Sequence, residues 1–159
     1  MFSRKRYIAA VCSGAVFLGL ASAPSANAYP INTGDYLWKS HIAGAIEGFQ
    51  SRRWEDSSYS EVIFIVCDDA NSVTVQMRMD VNNAPDKGYD KKTFTACFDV
   101  DAGLRSQGEW SDLPDTSTNS SEYYFQLTDI GGASQVEVAS VCVDNTADDY
   151  PPRHAGNGC

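Results

Sequence analysis

Residues 72–81, SVTVQMRMDV, alternate without a break: Val73, Val75, Met77, Met79 and Val81 share one side, and Ser72, Thr74, Gln76, Arg78 and Asp80 the other. Successive side chains of an extended strand point to opposite faces, so this spacing sets one face against a core and turns the other outward. A helix would scatter the same five apolar residues around its circumference. The stretch just before it, EVIFIVC at 61–67, is β-branched and apolar on both faces, as a central strand is. Asp68-Asp69-Ala70-Asn71 joins the two with the residues of a hairpin turn.

The pattern recurs downstream. TFTACFDV at 93–100 places Phe94, Ala96, Phe98 and Val100 inward, with Thr93, Thr95, Cys97 and Asp99 opposite. EYYFQLTDI at 122–130 repeats it through Tyr123, Phe125 and Leu127, and Gly131-Gly132-Ala133 turns the chain into QVEVASVCVD at 135–144. There Val136 and Val138 share one phase while Val141 and Val143 share the other, which a β-bulge near Ala139-Ser140 reconciles. The polar stretches 82–92, 101–110 and 111–121 read as loops.

Over 35–50 the residues Leu37, Trp38, His41, Ile42, Ala45, Ile46 and Phe49 follow a helical stripe that Asp35 is placed to cap. Gly44 and Gly48 oppose it, at about 1 kcal/mol each in a helix interior. A first strand with glycine bulges suits the all-β remainder better, with a short helix before it as the other reading. The fold expected is all-β: a single antiparallel β-sandwich of jelly-roll or Ig-like kind over 29–159, with no linker, repeat or second domain.

Arg4, Lys5 and Arg6 precede an uncharged, mostly apolar run from Tyr7 to Ala23, followed by Pro24 and Ala26-Asn27-Ala28. This is the layout of a signal peptide spanning 1–28, so the protein is expected to be secreted and extracellular. Pro24 and the small-residue site stand where a membrane anchor would carry its stop-transfer flank, so no membrane association is expected after cleavage. Cleavage removes three of the 12 basic residues and none of the 21 acidic ones, taking the net charge from −9 to −12. Such a surface repels nucleic acid and anionic lipid and suits a soluble monomer or small oligomer.

Four cysteines follow the signal peptide, and in an exported chain an even count reads as two disulfides. The pairing expected is Cys67 with Cys97 and Cys142 with Cys159. The second bridge would tether the C-terminal tail, a closure worth about 3 kcal/mol in the chain-entropy model. The close pairs of a four-cysteine zinc site are missing from the sequence.

Catalysis has little to draw on. His41 and His154 are the histidines available as a general base, and no serine lies in a G-x-S-x-G elbow. Carboxylate pairs are too abundant in an acidic chain to single one out. For calcium, Asp80, Asn82, Asp86 and Asp90, or Asp99 and Asp101, supply oxygens without the spacing of an EF-hand loop, so no metal and no cofactor is assigned.

Binding is the better expectation. Trp54, Tyr59, Trp110 and Tyr124 lie off the strands or out of the core phase, where rings serve as sugar platforms or partner anchors. For Trp54 and Trp110 the favoured alternative is a plug closing the open edge of the core. In SRRWEDSSYS, residues 51–60, an extended backbone sends Arg52 and Trp54 one way and Arg53 the other. The reading taken is a clasp in which a guanidinium stacks on the indole and pairs with a carboxylate; the alternative leaves Arg53 exposed as a specific contact.

Composition and the Arg-Arg-Trp step resemble those of small secreted all-β proteins, an amylase inhibitor among them. The chain is longer and its cysteine spacing differs, so no residue role is carried over. The expectation is a secreted non-catalytic binding protein for an extracellular protein or polysaccharide, with Arg53, Trp54, Tyr59, Trp110 and Tyr124 as candidate contacts. The alternatives are an inhibitor of an extracellular protease or glycosidase, acting through 51–60 or 82–92, and a small carboxylate-dependent hydrolase.

Overall fold

A computed structural model describes residues 36–118 and 120–147. The expected signal peptide over 1–28 and the expected pairing of Cys142 with Cys159 lie outside the described residues. The strands are β1 (Trp38–Ala45), β2 (Ser60–Asp68), β3 (Ser72–Asp80), β4 (Lys87–Phe94), β5 (Arg105–Trp110), β6 (Glu122–Gly131) and β7 (Val136–Asp144), with a 3-10 turn at Ala96–Phe98. They form two antiparallel sheets, one in the order β1-β7-β2-β5 and the other in the order β4-β3-β6.

The apolar faces of the two sheets contribute to one shared core. From β3, Val73, Val75, Met77 and Met79 are buried and alternate with half-exposed polar neighbours, as their spacing requires. Phe64 of β2 links the layers, packing edge-on against Phe94 of β4 at 5.1 Å and Phe125 of β6 at 5.6 Å between centroids. A second, smaller cluster lies on the other face of β2 and β7, where Ile63, Ile65 and Cys142 pack with Tyr36. Glu61 and Asp144, facing each other across β2 and β7, are buried as well. Burial pushes the Tyr36 phenol up to about 12, with the positive charge of Arg105 opposing it.

The expected bulge in β7 is present, and β2 matches it. Val138 and Val141 both face the shared core, so the strand changes phase across Ala139 and Ser140. On β2, Phe64 and Cys67 both face that core, and Val66 between them sits in the left-handed region at φ 52°. The two phase changes stand opposite each other, so the β2–β7 register runs on from Ile65↔Ser140 to Cys67↔Val138. Against β1 the register slips between Ser40↔Val141 and Ile42↔Val138. A left-handed backbone costs a β-branched residue roughly 1–2 kcal/mol.

The segment from Trp38 to Ala45 is a strand, and Gly44, at φ 64°, lies where its register slips again. No α-helix occurs among the described residues. Three expectations are corrected. TFTACFDV is not one strand: β4 ends at Phe94, Cys97 is fully buried in the core rather than outward, and Val100 is exposed rather than inward. The chain turns there because Cys97 is bridged to Cys67 of the other sheet and its N–H donates to Ser106 Oγ at 2.9 Å.

The stretches 87–92 and 105–110, read as loops, belong to β4 and β5, each at the edge of its sheet. An edge strand pairs on one side and tolerates the charges and glycines that disguised these two. Of the expected disulfides, Cys67–Cys97 is formed, with Cα atoms 5.1 Å apart. Cys142 is fully buried and disulfide-bonded.

Candidate functional site

The segment that follows β1 lies along the free side of β6. Gly48 N–H donates to Leu127 O, Ser51 N–H to Phe125 O, and Trp54 and Tyr123 exchange N–H···O bonds of 2.9 and 2.7 Å. Extended pairing of this kind sends neighbouring side chains to opposite sides. Arg52 lies 4.7 Å from the ring centroid of Trp38, and Trp54 meets the same ring edge-on at 5.7 Å. Arg53 goes the other way, 4.6 Å over the ring of Tyr124, and its Nε–H donates to Asp80 Oδ2 at 2.6 Å. Stacking and carboxylate pairing combine at Arg53, on Tyr124 with Asp80, while Arg52 only stacks on Trp38; these contacts stand in place of the clasp expected on the indole of Trp54.

The aromatic candidates are mostly covered. Trp54 is buried, and its Nε1–H donates to Ser60 Oγ at 3.1 Å, while the Ser60 hydroxyl donates to the Asp56 carboxylate. Burial raises the Asp56 carboxyl above its ordinary range, and the Ser60 hydroxyl with the N–H groups of Ser57, Ser58 and Tyr59 pulls part of that back. The backbone of Asp56 is held by Thr116, whose N–H donates to Asp56 O at 2.8 Å and whose Oγ1 accepts from Asp56 N–H at 2.9 Å.

Trp110, at the end of β5, is buried and donates to Asp90 O at 2.8 Å, so it closes the gap between the edges of β4 and β5. Both tryptophans are therefore placed as plugs and not as exposed platforms. Tyr124 leaves the core face as its phase predicts, yet it is buried beneath Arg53, with its hydroxyl donating to Asp86 Oδ2 at 2.5 Å. Burial and the Asp86 carboxylate raise its phenol above the ordinary tyrosine value. Arg53 stays exposed and Tyr59 half-buried.

The surface these contacts leave open is the outer face of the β4-β3-β6 sheet. Its rows follow the register: Thr93 and Thr74 side by side, then Lys91, Gln76 and Gln126, then Arg78 beside Tyr124. The Thr74 and Thr93 hydroxyls are 3.0 Å apart, Gln76 Nε2 donates to Tyr89 O at 3.0 Å, and Arg78 Nη1 donates to Gln126 Oε1 at 3.1 Å. Arg78 Nε is buried without a hydrogen-bond partner among the described residues. Gln76, Arg78, Lys91, Gln126 and Thr128, with Glu47 beside them, line a shallow indentation of about 550 Å³.

A second groove, of about 490 Å³, runs between the edges of β4 and β5 past Tyr89, Asp90, Lys92, Glu109 and Trp110. The sequence reading missed the polar sheet face, although its signal was the outward phase of residues 72–81. Of the oxygens considered for calcium, Asp80 is engaged by Arg53, Asp86 by Tyr124, and Asp99 Oδ1 by the N–H of Asp101. Compared with known protein families, curated proteins and solved structures, the chain matches none.

Proposed function

We propose that the chain is a secreted, non-catalytic binding protein that recognises an extracellular polysaccharide across the outer face of its three-stranded sheet. The observation that carries this reading is the composition of that face: rows of threonine hydroxyls, carboxamides, a guanidinium and an ammonium along an open indentation of about 550 Å³. A sugar chain presents hydroxyls that both donate and accept, and carboxamide pairs such as Gln76 with Gln126 answer both. Two sheets sharing one core support a β-sandwich beneath this face. A bridge from Cys142 to Cys159 would complete it by fixing the C-terminal tail.

The test is co-sedimentation of the protein with insoluble chitin, cellulose and peptidoglycan, comparing the parent with the Gln76→Ala/Gln126→Ala double variant. Retention on one of these that drops at least tenfold in the variant supports the reading. Retention on none, or equal retention of the variant at unchanged melting temperature, overturns it.

A further inference from the structure

Building on the polysaccharide reading above, we infer that the glycan taken by the outer face of the β4-β3-β6 sheet is an acidic one, held by its anionic groups between Lys91 and Arg78. Acidic residues outnumber basic ones 21 to 12 in the chain. The indentation reverses that balance: Arg78 and Lys91 line it against the single carboxylate of Glu47.

Register sets the two cations on either side of a carboxamide pair. Gln76 stands between Lys91 of β4 and Gln126 of β6, and the outer two are separated by two strand spacings, about 10 Å. Arg78 lies two residues further along β3, but its Nη1 donates to Gln126 Oε1 at 3.1 Å, which brings the guanidinium back to that row. Gln76 Nε2 donates to Tyr89 O at 3.0 Å and Gln126 Nε2 to Gly48 O at 3.4 Å, so backbone carbonyls fix both carboxamides. Lys91 is exposed and Arg78 half-buried, and neither makes an ion pair among the described residues, with Glu47 included. Of the other carboxylates near this face, Asp80 is held by Arg53 and Asp86 by Tyr124, while Glu122 and Asp129 stand in the rows of Asp80 and Thr74.

A neutral glycan laid over this row would strip water from a guanidinium and an ammonium and give back only neutral oxygens. Anionic oxygens give charge-assisted hydrogen bonds to both. Sugar hydroxyls beside them meet the carboxamides. The remaining acidic surface repels such a chain, which confines the attraction to this face. Glycans bearing carboxylate and glycans bearing phosphate offer the same chemistry.

The experiment is co-sedimentation at low ionic strength with fibrous cellulose, carboxymethyl-cellulose and phosphocellulose, which share one backbone and differ in charge. The protein, itself anionic, is expected to be retained at least tenfold more on one of the charged forms than on cellulose. The better retaining of the two identifies the anion, carboxylate or phosphate. Lys91→Gln and Arg78→Gln are each expected to lower that retention at least fivefold at unchanged melting temperature. Lys87→Gln, at an exposed lysine of β4 outside the indentation, is expected to leave it unchanged. Retention no greater on the charged forms than on cellulose, and lost in Gln76→Ala/Gln126→Ala, overturns the inference and leaves the polysaccharide reading in place. An equal loss in Lys87→Gln, or undiminished retention in Lys91→Gln, also overturns it.

Discussion

Arg53 covers the ring of Tyr124 at 4.6 Å and is held there by Asp80, so an arginine from outside the sheet forms the roof over a tyrosine on its outer face. Removing the side chain uncovers the ring and frees the Asp80 carboxylate. Both partners of the ion pair are more than a third exposed or close to it, which leaves the pair itself a small share. Arg53→Ala is expected to cost about 1 kcal/mol in urea unfolding, mostly from the lost stacking. It should also speed nitration of Tyr124 by tetranitromethane, and Arg53→Lys should restore little, since an ammonium does not stack as a planar guanidinium does.

The Cys67–Cys97 bridge closes a sequence separation of 30 residues and joins β2 to the turn that follows β4. In the chain-entropy model a loop of this length is worth about 3.5 kcal/mol. The double variant Cys67→Ala/Cys97→Ala is expected to lose about that much in denaturant unfolding. A loss below about 1 kcal/mol would mean that the unfolded chain is already constrained there.

Val66 holds a left-handed backbone at φ 52° inside β2. Glycine adopts that conformation freely, so Val66→Gly exchanges the relief of roughly 1–2 kcal/mol of strain against added chain entropy and a half-buried side chain. The variant is expected to stay within about 1 kcal/mol of the parent. Val75→Gly, at a fully buried position of β3, is expected to lose about 3 kcal/mol or more.

Asp56 gives a pH dependence whose sign follows from burial. Its folded pKa lies above the ordinary value, so the folded state binds the proton more tightly than the unfolded chain does. The stability it contributes is therefore full below the ordinary aspartate pKa of about 3.9 and is lost as pH rises through the raised value. The stability difference between the parent and Asp56→Asn should fall from about pH 4 upward and then level off. A difference that grows toward neutral pH would reverse the assignment.

How far the sequence could be read depended on whether a strand has two contrasting faces. β3 was plain because Val73 to Met79 meet a core and Thr74 to Arg78 meet water. β4 and β5 were hidden because KGYDKKTF and RSQGEW lie at sheet edges, where one side carries no pairing partner to favour apolar residues. Residues 95–100 carry the alternation of a strand and still leave the sheet: Cys97, on the outward phase, is buried and bonded to Cys67, and Val100, on the inward phase, is exposed.

The contacts at the site divide in the same way. Parity placed Arg52 and Trp54 together and Arg53 opposite them, and it sent Tyr124 outward. The roof over Tyr124 comes from a segment far away in the chain, and no local pattern records which ring an arginine will reach. The plugs at Trp54 and Trp110 depend likewise on Ser60 and on the carbonyl of Asp90, partners that no spacing rule connects to them.

The facing irregularities at Val66 and Ala139 bear on kinship. A deletion on one strand alone would turn half of its side chains inside out relative to its neighbour, whereas losing both together would leave the pairing intact. Any descendant of a common ancestor must therefore keep the two as a unit or shed them as a unit. In any chain that shares this fold, the two irregularities are expected to occur together even where the residues around them differ.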